Sequence, residues 1–202
     1  DILYFRGENI KANLTQSLAN GDSVTLKLHH QDVEHEMGNF SQRTNGTLAM
    51  SAARQIFAEV KGEAVSLHYQ HQNWLFGVDL DQAEHDATIF NPNMAAFFIE
   101  NFKDIERDRY SIFTEWKGAI TNGWNLETGI RYSRVEMDSG NAEVFSGAPM
   151  GLQMLNTAFN NEDLSQNDDL VDLFATFTHK YSSELDVEVG FARKTRAPSY
   201  QE

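Results

Sequence analysis

The feature that most narrows the folds open to this chain is a period-two alternation of apolar and polar residues, repeated in segment after segment and punctuated by turn residues. From Ser23 onward, Val24, Leu26 and Leu28 are apolar while Thr25, Lys27 and His29 are polar. Successive side chains of a strand point to opposite faces, so this pattern predicts a β-strand with one apolar face. The same device recurs from Asn9 to Leu18, from about Arg54 to Ala64, and at Trp74, Phe76, Val78 and Leu80. It returns at Tyr110, Ile112, Thr114 and Trp116, at Trp124, Leu126, Ile130 and Tyr132, at Val171, Leu173, Ala175 and Phe177, and at Leu185, Val187, Val189 and Phe191. Eight strands are therefore expected, in an all-β chain.

The connections carry further information. Asn20-Gly21-Asp22, Thr121-Asn122-Gly123 and Ser182-Ser183-Glu184 read as tight turns, the first two with Asn-Gly steps suited to hairpins. A compact connection is expected near Leu67 to Gln72. Between these lie the polar stretch TNGTLAMSA, a connection from Asn91 to Asp104 in which Ala95 to Ile99 suggests a short helical turn, and the longest loop, Gly140 to Asp169. Short and long connections that alternate fit hairpins with tight turns on one side of a membrane and long loops on the other. The apolar faces also carry Trp74, Tyr110, Trp116, Trp124, Tyr132, Phe177, Tyr181 and Phe191 near their ends, as interfacial aromatic girdles do. A soluble β-sandwich also alternates but rarely needs loops so unequal. The pattern favours an antiparallel transmembrane β-barrel over a soluble all-β domain.

Composition removes other classes. The net charge of −14 argues against recognition of nucleic acid, which needs clustered Lys and Arg. With no cysteine there is neither a disulfide framework nor a zinc-thiolate site. No apolar run approaches the roughly 18 residues of a membrane-spanning helix, and Asp1 opens without the charged and apolar regions of a signal peptide. Enzymatic signatures are missing too: the chain has no nucleophile elbow, phosphate loop or His-Glu-x-x-His.

One pair of residues offers metal chemistry. His35 and Met37 are two apart, so they leave a strand on one face about 6 to 7 Å from each other. A neutral imidazole and a thioether form a soft donor pair that favours Cu(I) over Mg²⁺ or Ca²⁺. Glu34 and Glu36 fall on the opposite face, and His29 lies nearly three same-face steps away, too far to join. His-x-Met also arises by chance in strands, so spacing alone does not establish a ligand set.

The final segment, GFARKTRAPSYQE from Gly190 to Glu202, resembles the barrel region of TonB-dependent outer-membrane receptors in which a strand leads into an Arg-Ala-Pro-Ser run. Together with DVEHEMGNFSQR at Asp32 to Arg43, it looks like the copper-receptor subgroup. The resemblance spans the whole chain as consecutive strands and loops. It implies a location in the bacterial outer membrane, among lipid and lipopolysaccharide, and no enzymatic activity. It also implies import of copper ion as cargo, driven by the TonB-ExbB-ExbD complex through a plug domain. In that subgroup a barrel His-x-Met pair and a Cys-x-x-x-Met pair of the plug hold the metal. His35 and Met37 match the first, and nothing in this chain matches the second. The whole chain, 1–202, is then expected to be an internal part of the barrel domain without its plug, about eight strands of roughly 22.

Alternatives stay open at this level: a TonB-dependent receptor for a siderophore or cobalamin-type ligand, or a small structural outer-membrane barrel. Met150 and Met154 could collect copper, although ordinary loop packing is the simpler account. Glu162, Asp163, Asp168 and Asp169 could bind Ca²⁺ or meet lipopolysaccharide through divalent bridges, against the simpler reading of a solvated acidic loop. His68 and His71 are expected to be solvated beside a turn.

Overall fold

A computed structural model describes residues 2–39 and 52–199. The polar stretch TNGTLAMSA up to Ser51, residues 40–43 of the His-x-Met segment, and residues 200–202 lie outside the described residues.

Each alternating segment forms a strand. In chain order these are β1 (Ile2–Ser17), β2 (Ser23–Gly38), β3 (Gln55–His71), β4 (Trp74–Asn91), β5 (Met94–Thr121), β6 (Trp124–Asp138), β7 (Gln166–Lys180) and β8 (Asp186–Arg193), and the helix α1 (Met150–Asn160) lies between β6 and β7. They form a single antiparallel sheet in sequence order, β1 to β8. A meander of this kind needs only hairpin connections, and the sequence supplies them. Gly21 and Gly123 take φ of +88° and +80° in two of the turns, conformations that a side chain disfavours.

Register assigns the faces. Leu14, Leu26, Leu67, Val78, Ile112, Tyr132 and Val171 stand directly opposite one another across seven strands. With Phe76, Ile130, Leu173 and Phe191 they make one continuous apolar face, and all of these side chains except the half-buried Leu26 are exposed. On β6 the face runs from Trp124 to Tyr132, roughly 27 Å along the strand, which falls in the range of about 9 to 11 residues that a tilted transmembrane strand uses. Every girdle aromatic on a strand lies on this outward face. Trp74 stacks with Phe76, and Trp124 stacks with His179, beside the short turns.

The opposite face is polar and tightly paired. Arg131 donates to Asp79 at 2.7 Å and Arg109 to Asp81 at 2.9 Å. His68 contacts Asp79 at 3.3 Å and meets the Phe113 ring edge-on, while the Arg131 guanidinium lies 4.3 Å from that ring's centre. His68 is therefore a packed member of this wall, and the expectation of a solvated residue fails for it. His71 instead reaches the β1–β2 turn, where its Nδ1 lies 2.9 Å from Asp22.

Asp22 is the anchor of that turn. Its carboxylate is almost fully buried and accepts hydrogen bonds from the Tyr69 hydroxyl at 2.5 Å and the Asn20 amide at 2.6 Å. The Tyr69 hydrogen bond, seconded by His71 and Asn20, holds its pKa below the ordinary 3.8 against the opposing effect of burial. A carboxylate depressed in the folded state contributes stability that is present above its unfolded pKa and is lost as pH falls through the lower folded value. Thermal unfolding followed from pH 7 to pH 2 is expected to show an acid loss of stability that shrinks in Asp22→Asn. An unchanged acid limb in that variant would count against the turn anchor.

Two connections differ from the sequence expectation. The compact connection near Leu67 to Gln72 is mostly strand, because β3 continues to His71 and only Gln72 and Asn73 turn. The supposed long connection from Asn91 to Asp104 is a two-residue turn, Pro92-Asn93, followed by the first third of a 28-residue strand. The buried Asn91 caps the turn, its side-chain oxygen accepting from the Asn93 amide at 2.8 Å. Ile99, Phe102 and Ile105 then pair with Ile89, Ala87 and His85, all on the inward face. Register shifts lie between those pairs, and Asp104 has φ +45°. Such bulges turn a spacing of two into a spacing of three, so the stretch reads as helical in sequence while it pairs as strand.

The long loop behaves as expected in position but not in content. Its first residues run back along β5, with Ile99 bridging Val144 and the Phe145 amide donating to Phe98, and so cover an edge that β6 leaves free. Val135, Met137 and Ala197 form a small buried cluster on the inward side, with Leu170 packed against it. The Arg-Ala-Pro-Ser run thus lies against the wall, where Thr195 donates from both its amide and hydroxyl to Asp172.

Candidate metal centre

β2 pairs with β3 without interruption from Ser23↔Gln70 to Gly38↔Gln55. Parity therefore carries unbroken from Val24 to Met37. Val24, Leu26 and Leu28 point outward, and His35 and Met37 share the inward face. Glu34 and Glu36 point outward, where the Tyr4 hydroxyl donates to Glu34 at 3.3 Å.

The neighbours of the pair follow from the same register. Across the sheet, His35 stands in the row Phe5, His35, Ala58, Ala87, Phe102. Met37 stands in the row Ile2, Met37, Ile56, Ile89, Ile99. Neither row holds a charged residue. Ala58 and Ala87 leave room beside the imidazole, and Met37 is 37% exposed. A neutral, poorly hydrated surface with one nitrogen and one sulfur donor suits a soft monovalent or borderline cation and offers nothing to a hard one.

Other sequence candidates separate from this pair. His29 lies six residues down the same face, about 20 Å away, against Asn9 at 3.1 Å. His85 is also inward, but two strands across. Met150 and Met154 sit four apart on α1, which places both thioethers on one helix face, and they are 78% and 67% exposed. Within this chain neither is packed against another element. In the acidic loop, Asp163 caps Ser165 through its amide and hydroxyl, which holds its pKa below the usual carboxylate value. Asp169 accepts from the Tyr132 hydroxyl at 2.6 Å, and Gln166 donates to Asp168 at 3.0 Å.

A family model described as TonB dependent receptor-like, beta-barrel, matches residues 3–202, nearly the whole chain. The chain belongs to the TonB-dependent receptor β-barrel family. That family places it in the bacterial outer membrane. Its fold also matches a solved structure, the copper transporter OprC, with a TM-score of 0.71 and 19% sequence identity. The match covers 99% of this chain and 33% of the transporter, so the chain spans about a third of the length of that relative. At this identity the likeness concerns the fold. None of the curated protein sequences compared with the chain matches it.

Proposed function

We propose that this chain contributes eight wall strands to a larger TonB-dependent barrel that imports copper, with His35 and Met37 as its barrel-side ligands. The observation that carries the reading is the soft donor pair on one inward face, set in two rows without a charged side chain. Copper is here the cargo, so its ligands must capture it and also release it. Two donors are fewer than a closed site requires, and the remainder would come from a plug domain, on which the TonB-ExbB-ExbD complex would act. Met150 and Met154, exposed on the loop helix, offer thioethers to copper approaching from outside.

The reading has a direct test. Cells expressing the full-length receptor should accumulate copper well above a receptor-deficient strain, and deletion of TonB should abolish the difference. Accumulation of an iron-siderophore or cobalamin in place of copper would transfer the cargo assignment to those ligands and leave the barrel reading intact.

A further inference from the structure

The outward apolar band is not flat. Across β3 to β6 one of its rows reads Tyr69, Phe76, Thr114, Ile130, so Thr114 stands between two larger side chains. Around it the surface drops into a recess of about 460 Å³, apolar almost throughout. Tyr69 and Phe76, stacked with ring centres 6.4 Å apart, form one wall, and Ile112, Ile130 and Tyr132 form the other. All four strands have both of their neighbours in this chain, so the recess owes nothing to the rest of the barrel.

Its surroundings say what fills it. The family's place in the outer membrane turns this face to lipid, so water does not fill the recess, and left empty its walls would lack contacts. The interior also offers nothing to a polar ligand. The hydroxyls of Tyr69 and Tyr132 are taken by Asp22 and Asp169 at opposite ends, and Thr114 Oγ1 is shut off from solvent. The mouth is different. Trp74 and Trp116 stand directly opposite each other in the girdle beside the short turns, two residues from Phe76 and Thr114, a step of about 7 Å. Among the described residues neither indole N–H has a hydrogen-bond partner, although such groups ordinarily find one at a membrane interface. Two unused donors therefore sit at the interfacial end of an apolar slot.

We propose that this recess holds one acyl chain of a glycerophospholipid, whose ester and phosphate oxygens accept from the indoles of Trp74 and Trp116. Short turns mark the periplasmic side of such a barrel, so the lipid comes from the periplasmic leaflet. A hydrocarbon tail gains nothing from the hydrophobic effect by leaving other tails for a protein wall. Contact with the stacked rings and the two indole donors retains it instead, so the site is defined by fit and saturates at one lipid. It lies on the opposite face of the sheet from His35 and Met37 and is independent of the copper reading.

The test is native mass spectrometry of the delipidated full-length receptor in neutral detergent, titrated with palmitoyl-oleoyl phosphatidylethanolamine. The wild type should hold one phosphatidylethanolamine more than Thr114→Trp, a variant that fills the recess. The double variant Trp74→Phe/Trp116→Phe keeps both rings, removes both N–H groups and should release the same lipid more readily. A parallel titration with lipid A, the outer-leaflet source of acyl chains, should show no difference between wild type and Thr114→Trp. Copper binding should be the same in all three proteins. Equal phosphatidylethanolamine occupancy in wild type and Thr114→Trp, or a bound lipid A that Thr114→Trp removes, overturns the site. If Thr114→Trp loses the heat-modifiable mobility of a folded barrel, the tryptophan double variant decides alone, and unchanged retention in it overturns the site.

Discussion

Full-length receptor carrying His35→Ala or Met37→Ala is expected to bind copper at least roughly a hundredfold more weakly than wild type. Altering an outer-shell partner of a metal ligand alone costs about 10- to 100-fold, and these substitutions remove the proposed donor atom itself. Met37→Leu is the sharper variant, since it keeps the volume that Ile56 pairs with and removes only the sulfur. It should lose copper as Met37→Ala does while the barrel folds normally. Glu34→Gln and Glu36→Gln serve as controls, because unbroken pairing with β3 turns both residues to the outer face. Copper stoichiometry and affinity measured on purified protein decide the matter. Unchanged values in His35→Ala and Met37→Leu would remove both residues from the site.

The largest structural effect is expected at Gly77. This glycine stands directly opposite Phe113 across the β4–β5 pair, and the phenyl ring folds over it. A Cβ added at Gly77 would come within 2.2 Å of two ring atoms. The ring has no easy retreat, held between the edge contact with His68 and the Arg131 guanidinium, and Phe113 is itself buried. Gly77→Ala should therefore destabilise the barrel by about 1 to 3 kcal/mol, the usual cost of overpacking. Loss of the His68–Asp79–Arg131 geometry should accompany it. Gly151 is the counter-example: it lies in α1 with open space around it, so Gly151→Ala should be neutral or gain up to about 1 kcal/mol in local helix stability. Urea unfolding of the two full-length variants in lipid vesicles separates these cases, and a Gly77→Ala protein as stable as wild type would show that Phe113 can move aside. The same arrangement recurs where Phe174 lies over Gly129 across β6–β7. An aromatic ring laid over a cross-strand glycine recovers contact that the glycine cannot make.

Four of the sequence expectations show what kind of information a strand carries. The outward apolar band was readable because each of its strands keeps strict alternation, and the face of a residue then depends only on parity. The sidedness of His35 and Met37 was readable for the same reason, as was the exclusion of Glu34 and Glu36. The β5 extension was not, because bulges near Asp104 replaced a spacing of two by a spacing of three at Ile99, Phe102 and Ile105. The environment of His68 was equally hidden. Nothing near it in sequence announces Asp79 and Phe113, which reach it from two other strands, or Arg131, which holds both of them from a third.

By itself, then, the sequence determined the strands, their two faces and the presence of a soft donor pair on one of them, all local properties of alternation and turn chemistry. Only the tertiary structure decided which residues share a row. Register is set by pairing across the whole sheet, and it alone put Ala58 and Ala87 beside His35, closed Phe113 over Gly77, and set Thr114 between Phe76 and Ile130.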